Sequence, residues 1–165
     1  MDEIRPRVLS SLFTEAKSRI HMIDEVDRQI IDLLAGNARL SLKELAARVN
    51  LSSPSASERL KRLEERGVIR AFTVEVNPQA FGYTLQAIVR IRPLPAQMAR
   101  VTQMIEEIPQ FTECDKVTGD DCLVARLHVR SIEEMDEIID RIGDKAETNT
   151  AIVKAQTLKR RLPPL

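Results

Sequence analysis

From Asp24 to Gly67 the apolar residues recur at helical spacing in three consecutive blocks. Val26, Ile30, Leu33 and Leu34 make the first stripe, opened by Asp24 as N-cap and stopped by Gly36-Asn37. Ser41 and Glu44 form an S-x-x-E capping box before the second stripe, Leu42, Leu45, Ala46 and Val49. A very short break, Asn50-Leu51-Ser52, leads to a third helix capped by Ser52 or Ser53. Pro54 suits its first turn, Leu60 and Leu63 its apolar side, and Gly67 its C′ position. Three helices with so short a second break predict a helix-turn-helix arrangement. Val68-Ile69 and Phe72–Val76 then read as a short β wing or connecting strand, broken by Asn77-Pro78.

Beyond Gly82 the period alternates between two and 3.6. Leu85, Ala87, Val89 and Ile91 share one face of a strand over Thr84–Ile91, and Pro93 and Pro95 end it. Met98, Val101, Ile105 and Ile108 follow helical spacing. Phe111–Val117 and Cys122–Val129 read as strands joined by the turn Thr118-Gly119-Asp120-Asp121. Ser131 caps a helix bearing Met135, Ile138, Ile139 and Ile142, and a last strand is expected over Thr148–Leu158. The order β-α-β-β-α-β is ferredoxin-like. The fold expected is therefore α+β, a winged helix-turn-helix domain followed by a ferredoxin-like βαββαβ domain. Its limits are a frayed N-terminal extension over 1–21 (with a short helix around Ser10–Arg19), the helix-turn-helix over 22–76, a hinge at 77–83, and the βαββαβ domain over 84–165. Met1 and Met22 both remain as translation starts. Two helices cover one sheet face, while the other presents Ile88 and Val124 beside Arg90 and Arg126, a surface suited to dimerisation.

Composition narrows the function. The chain has 165 residues, 25 basic and 25 acidic, so any nucleic-acid binding must come from a local cluster and not from the field of the whole molecule. Two cysteines, Cys114 and Cys122, are too few for a disulfide framework and lack metal spacing with His21 and His128; reduced structural thiols are expected, with no metal and no cofactor. No apolar run is long enough to span a bilayer and no secretory signal opens the chain, which argues for the cytoplasm and against a membrane partner. No G-x-S-x-G, phosphate-cradling Gly loop or His beside a nucleophile points to catalysis.

The third helix carries the first candidate chemistry. Opposite its apolar stripe lie Ser53, Ser55, Ser57 and Glu58 near the N-terminus, then Lys61 and Arg62, with Arg59 at the edge. Short hydroxyls allow close approach to base edges, Glu58 can accept from cytosine N4, and the cations reach phosphates, as in a recognition helix entering the major groove of double-stranded DNA. The plainer reading is a solvated face, since Glu58, Glu64 and Glu65 nearly cancel its cations. The turn Gly119, Asp120 and Asp121 carries the second. Its backbone N–H groups can hold a ligand carboxylate and its acids an ammonium, though a Gly-Asp turn between strands also serves simply as a turn. Cys122 reads as a small apolar residue.

The run Ile23–Leu34, the segment Leu51-Ser52 with Glu58–Glu64 and Gly67-Val68-Ile69, the joint Asn77-Pro78 with Gly82, and the turn Val117–Asp120 together resemble the Lrp/AsnC family of transcription regulators, over residues 23 to about 158. That resemblance implies a DNA-binding regulator whose second domain assembles dimers, then tetramers or octamers, and binds an amino acid or similar small effector. Asn50 stands where the family often has Gly, and Ala71-Phe72 where it often has Gly-Tyr. Cys122-Leu123-Val124-Ala125 replaces the usual Asp-Tyr-Leu-Leu, so a selectivity unlike that of a leucine sensor is expected. The alternative is an amino-acid-binding regulatory module of a metabolic enzyme, which would not need the cations of the third helix. RNA binding is weaker still, because the sheet lacks stacking aromatics.

Overall fold

The computed structural model describes residues 23–165; the short helix expected around Ser10–Arg19 lies outside them. The chain divides into two compact units, one made of the described residues up to Val74 with Arg160–Leu165, the other of Glu75–Lys159.

The first unit contains α1 (Glu25–Gly36), α2 (Leu42–Arg48) and α3 (Ser53–Glu65). Each begins where a short polar side chain takes over the orphan amides of the first turn. Asp24 accepts from the Asp27 N–H, Ser41 and Glu44 form a complete capping box, and Ser52, not Ser53, accepts from the Ser55 N–H. Asn50 turns the chain between α2 and α3 with φ 54°, a left-handed conformation that Asn tolerates, so its replacement of Gly leaves the geometry intact. At the end of α3, Gly67 takes φ 67° and the Val68 and Ile69 amides both donate to the Leu63 carbonyl. Ile30, Leu34, Leu45, Val49 and Leu63 form the core, with Leu60, Val68 and Ile69 packed against it.

The strand expected in this stretch is corrected: none forms over 68–76. Val68 and Ile69 are used to close α3 and seal its core. Phe72, Val74 and Val76 are exposed, Val74 at 81%, and no other segment among the described residues pairs with their backbone. Alternating apolar residues supply strand propensity, but a strand needs a partner to hydrogen-bond.

In the second unit, Asn77 caps a 3-10 turn over Pro78–Phe81, and Tyr83 lies under the Arg130 guanidinium, 4.8 Å from the ring centroid. Strands β1 (Leu85–Pro93), β2 (Phe111–Lys116), β3 (Leu123–Val129) and β4 (Ala146–Ile152) form an antiparallel sheet in the order β2-β3-β1-β4. Helices α4 (Met98–Glu107) and α5 (Ile132–Gly143) cover one face. Alternation decides that face: Leu123, Ala125, Leu127 and Val129 are buried with Ala87, Val89 and Ile91 beneath Val101, Ile105, Met135, Ile138 and Ile142. The register sets Ile88 beside Arg126 and Arg90 beside Val124 on the opposite, uncovered face. The last strand is shorter and earlier than expected. Ladder pairing with β1 starts at Ala146 and its final pair is Ala87 with Ile152, after which the Val153 amide donates to Gln86 and residues 153–158 have no strand to follow.

Candidate functional site

On α3, burial separates the candidate residues. Ala56 and Leu63 are buried, Leu63 in the core it shares with α1 and α2, while Ser55, Ser57, Glu58, Lys61 and Arg62 are exposed. Ser53 is half-buried in the first turn, and the Ser55 hydroxyl lies 2.8 Å from that of Ser52 in the cap. Lys61 reaches Glu65 at 3.5 Å one turn on, so part of the charge on this face is internally paired. The Arg62 side chain has no hydrogen bond or ion pair among the described residues, while its carbonyl accepts from the Arg66 amide.

Arg59 is placed differently. Its Nη1 donates to Asp24 Oδ2 at 2.6 Å and to Asp27 Oδ1 at 2.8 Å, across 35 and 32 residues of sequence. Asp27 is 6% exposed, the buried charged residue of the described chain. Asp24 works twice, capping α1 through Oδ1 and receiving Arg59 through Oδ2. The Asp27 amide first, and the Arg59 hydrogen bond second, hold the Asp24 carboxyl below its ordinary pKa; Asp24 and then Asp27 raise that of Arg59. These three side chains line a cleft of about 140 Å³ with Arg62, Leu63 and Arg66. Sequence reasoning missed this arrangement. The available signal was Asp27 itself, an acid three residues ahead of Ile30 and seven ahead of Leu34 on the buried stripe of α1.

The turn of Gly119, Asp120 and Asp121 joins β2 to β3. Gly119 takes φ 115°, which strains any residue with a Cβ. The structure adds cations that the sequence reading did not connect with this turn. Arg92 donates through Nε to the Asp120 carbonyl at 3.0 Å, and its guanidinium stands 4.0 Å from the Asp120 carboxylate and 3.5 Å from Glu147. Arg90 stands 3.9 Å from Asp121. Arg90, Arg92, Asp121, Glu147, Thr148 and Asn149 line a shallow cleft of about 130 Å³. The signal for it was alternation: Arg90 and Arg92 fall on one face at the end of β1, toward a turn carrying two acids. Cys114 and Cys122 are both free thiols, Cys114 exposed and Cys122 half-buried with Sγ 3.8 Å from the Asp120 carbonyl.

Comparison with known proteins brings these two sites under one heading. Residues 23–70 match the family profile described as winged helix-turn-helix DNA-binding, and residues 86–163 match the Lrp/AsnC ligand binding domain. The transcriptional regulator LrpA of Mycobacterium tuberculosis is 34% identical over 129 residues, 78% of this chain and 86% of that protein. The chain belongs to the Lrp/AsnC family. Its fold is similar to that of Bacillus subtilis LrpC, with a TM-score of 0.79 and 28% identity over 83% of this chain and 98% of that one. A feast or famine regulatory protein from M. tuberculosis, solved in complex with L-methionine, also gives a TM-score of 0.79, at 31% identity over 86% of this chain and 98% of that one. As a member of the Lrp/AsnC family, this chain is a DNA-binding transcription regulator. Its DNA-binding match contains α1 to α3 with the Arg59 cluster; its ligand-binding match contains both the Gly119–Asp121 turn and the strand of Arg90 and Arg92. No helix among the described residues is long and apolar enough to cross a membrane, and no group of three or more His, Cys, Asp or Glu among them can hold a metal.

Proposed function

We propose that this protein is a cytoplasmic, non-enzymatic regulator that reads double-stranded DNA through the exposed face of α3 and answers to an amino acid or similar small zwitterion at the Gly119–Asp121 turn. The exposed face of α3 carries the DNA reading. Ser55, Ser57 and Glu58 project from its N-terminal half, where small groups can approach base edges, and Arg62 follows, exposed and one turn beyond Glu58, where a long cation can reach a phosphate. The working unit is a dimer, joined through the uncovered sheet face of Ile88, Arg90, Val124 and Arg126 and assembling further to tetramers or octamers. Such a dimer sets two recognition helices about 34–36 Å apart on one side of the duplex.

The effector reading rests on charge chemistry. A zwitterion offers one group of each sign, and the cleft with its adjoining turn does the same: Arg90 and Arg92 suit a carboxylate, while Asp121 in the cleft and Asp120 beside it suit an ammonium. The L-methionine held by the solved M. tuberculosis relative is a ligand of that class. The test of the whole reading is a gel shift over a range of salt. Arg62→Ala should weaken binding to every duplex and lower the slope of log K against log salt by about 0.9, the loss of one phosphate contact. Bulky residues at Ser55 or Ser57 should instead change which sequence is preferred. Unchanged binding by folded Arg62→Ala at all salt concentrations overturns the assignment of α3.

A further inference from the structure

We infer that Arg59, with Asp24 and Asp27, is a positioning clamp: it acts on DNA recognition by fixing α3 against the N-terminus of α1, without touching DNA itself. This rests on the reading of α3 as the DNA-contacting helix. The acceptors of Arg59 Nη1 are Asp24, the cap of α1, and Asp27 in its first turn, which is almost wholly desolvated. A buried carboxylate requires a charge partner in fixed geometry, so Arg59, its side chain 25% exposed, is committed to Asp27 before DNA arrives. Asp24 ties the same knot to the helix cap, since one oxygen orders the first turn of α1 while the other holds Arg59. Sequence position reinforces the point. Arg59 lies three residues beyond buried Ala56 and four before buried Leu63, on the packed flank of α3, and Arg62 sits one turn further along. The clamp therefore sets the rotation of α3 about its axis, and with it the direction in which Ser55, Glu58 and Arg62 project. Two acids beside a DNA-reading helix repel phosphate; they belong there if their task is to hold Arg59.

The experiment turns on that sign. Full-length protein is presented with a duplex selected by the wild type from a random-sequence pool, and with poly(dI-dC) as a non-specific polymer, at several salt concentrations. The variants are Asp27→Asn, Arg59→Lys, Arg59→Met and the pair Asp27→Asn with Arg59→Met. A clamp predicts that Asp27→Asn, although it removes negative charge, weakens the selected duplex by roughly tenfold, the scale of one lost buried contact. Its affinity for poly(dI-dC) holds or rises. Arg59→Met should lose specific affinity to a similar extent with an unchanged salt slope, the double variant should be no worse than the poorer single one, and Arg59→Lys should recover part of the loss. The inference is overturned if Asp27→Asn tightens both DNAs while Arg59→Met lowers the salt slope by about 0.9, because Arg59 is then a phosphate contact. If melting shows that Arg59→Met is unfolded, Asp27→Asn and Arg59→Lys decide between the same outcomes. Arg62→Ala, run in parallel, reports separately on α3 as the reading helix, so failure of that reading is distinguishable from failure of the clamp.

Discussion

Arg59 meets Asp24 and Asp27 at 2.6 and 2.8 Å, whereas Arg90 and Arg92 stand 3.9 and 4.0 Å from Asp121 and Asp120. The residue types are the same and the surroundings are opposite. In the first cluster an acid is buried and the guanidinium is three-quarters covered; in the second all four side chains are about half exposed or more. Water decides what each can do. A desolvated pair at hydrogen-bond distance cannot exchange its partner without leaving a bare charge, so it holds structure. A loose, hydrated pair loses little when an incoming carboxylate and ammonium replace its members, so it is available to a ligand.

This contrast is broken or sharpened most strongly by orphaning Asp27. Arg59→Met should cost about 3 kcal/mol, read as a lower melting temperature, since it leaves a buried carboxylate without its cation. A melting curve like that of the wild type would erase the distinction between the clusters. Next in size is the effector response. An amino acid supplied at one hundred times its dissociation constant should stabilise the protein by about 2.7 kcal/mol, several degrees in a thermal-shift panel. Asp120→Ala or Arg92→Ala should remove that shift and leave ligand-free DNA binding nearly intact. If no amino acid changes melting, assembly or DNA affinity, the exposed cluster has no sensing role.

Acid titration offers a smaller effect. Because the folded state lowers the Asp24 pKa from 3.8, its contribution is fully present above about pH 4 and is lost as pH falls through the lower folded value. Asp24→Asn should therefore flatten the acid limb of the stability profile. The smallest expected change is Arg92→Ala without ligand, less than about 1 kcal/mol, as for other solvated ion pairs. A larger loss would show that Arg92, through its bond to the Asp120 carbonyl, mainly braces the turn.

Local chemistry made much of the fold legible. Asp24, Ser41 and Ser131 cap helices where short side chains before apolar stripes predict it, and Gly67 closes α3 with positive φ. Alternation in β1 and β3 distinguished the covered sheet face from the open one. Where the reading strayed, the missing information was a partner. Phe72–Val76 has strand-forming residues and nothing among the described residues to pair with, and the last strand stops where β1 runs out. Tyr83 and Arg130, 47 residues apart, meet for reasons no spacing reveals.

What the sequence determined by itself was thus the helices, their caps, the order of the strands and the face each apolar residue takes, because these depend on interactions within a few residues. The tertiary structure alone decided the partners of the charges. Arg59 read in sequence belongs with Arg62 on an exposed cationic helix; packing α3 against α1 brings it onto two acids more than thirty residues away. Arg92 likewise finds Asp120 only because β1 runs beside β3 and carries its end to the turn. Periodicity fixes which side of an element a charge occupies. The angle and register at which elements pack then fix whether that charge meets an acid, water or a ligand.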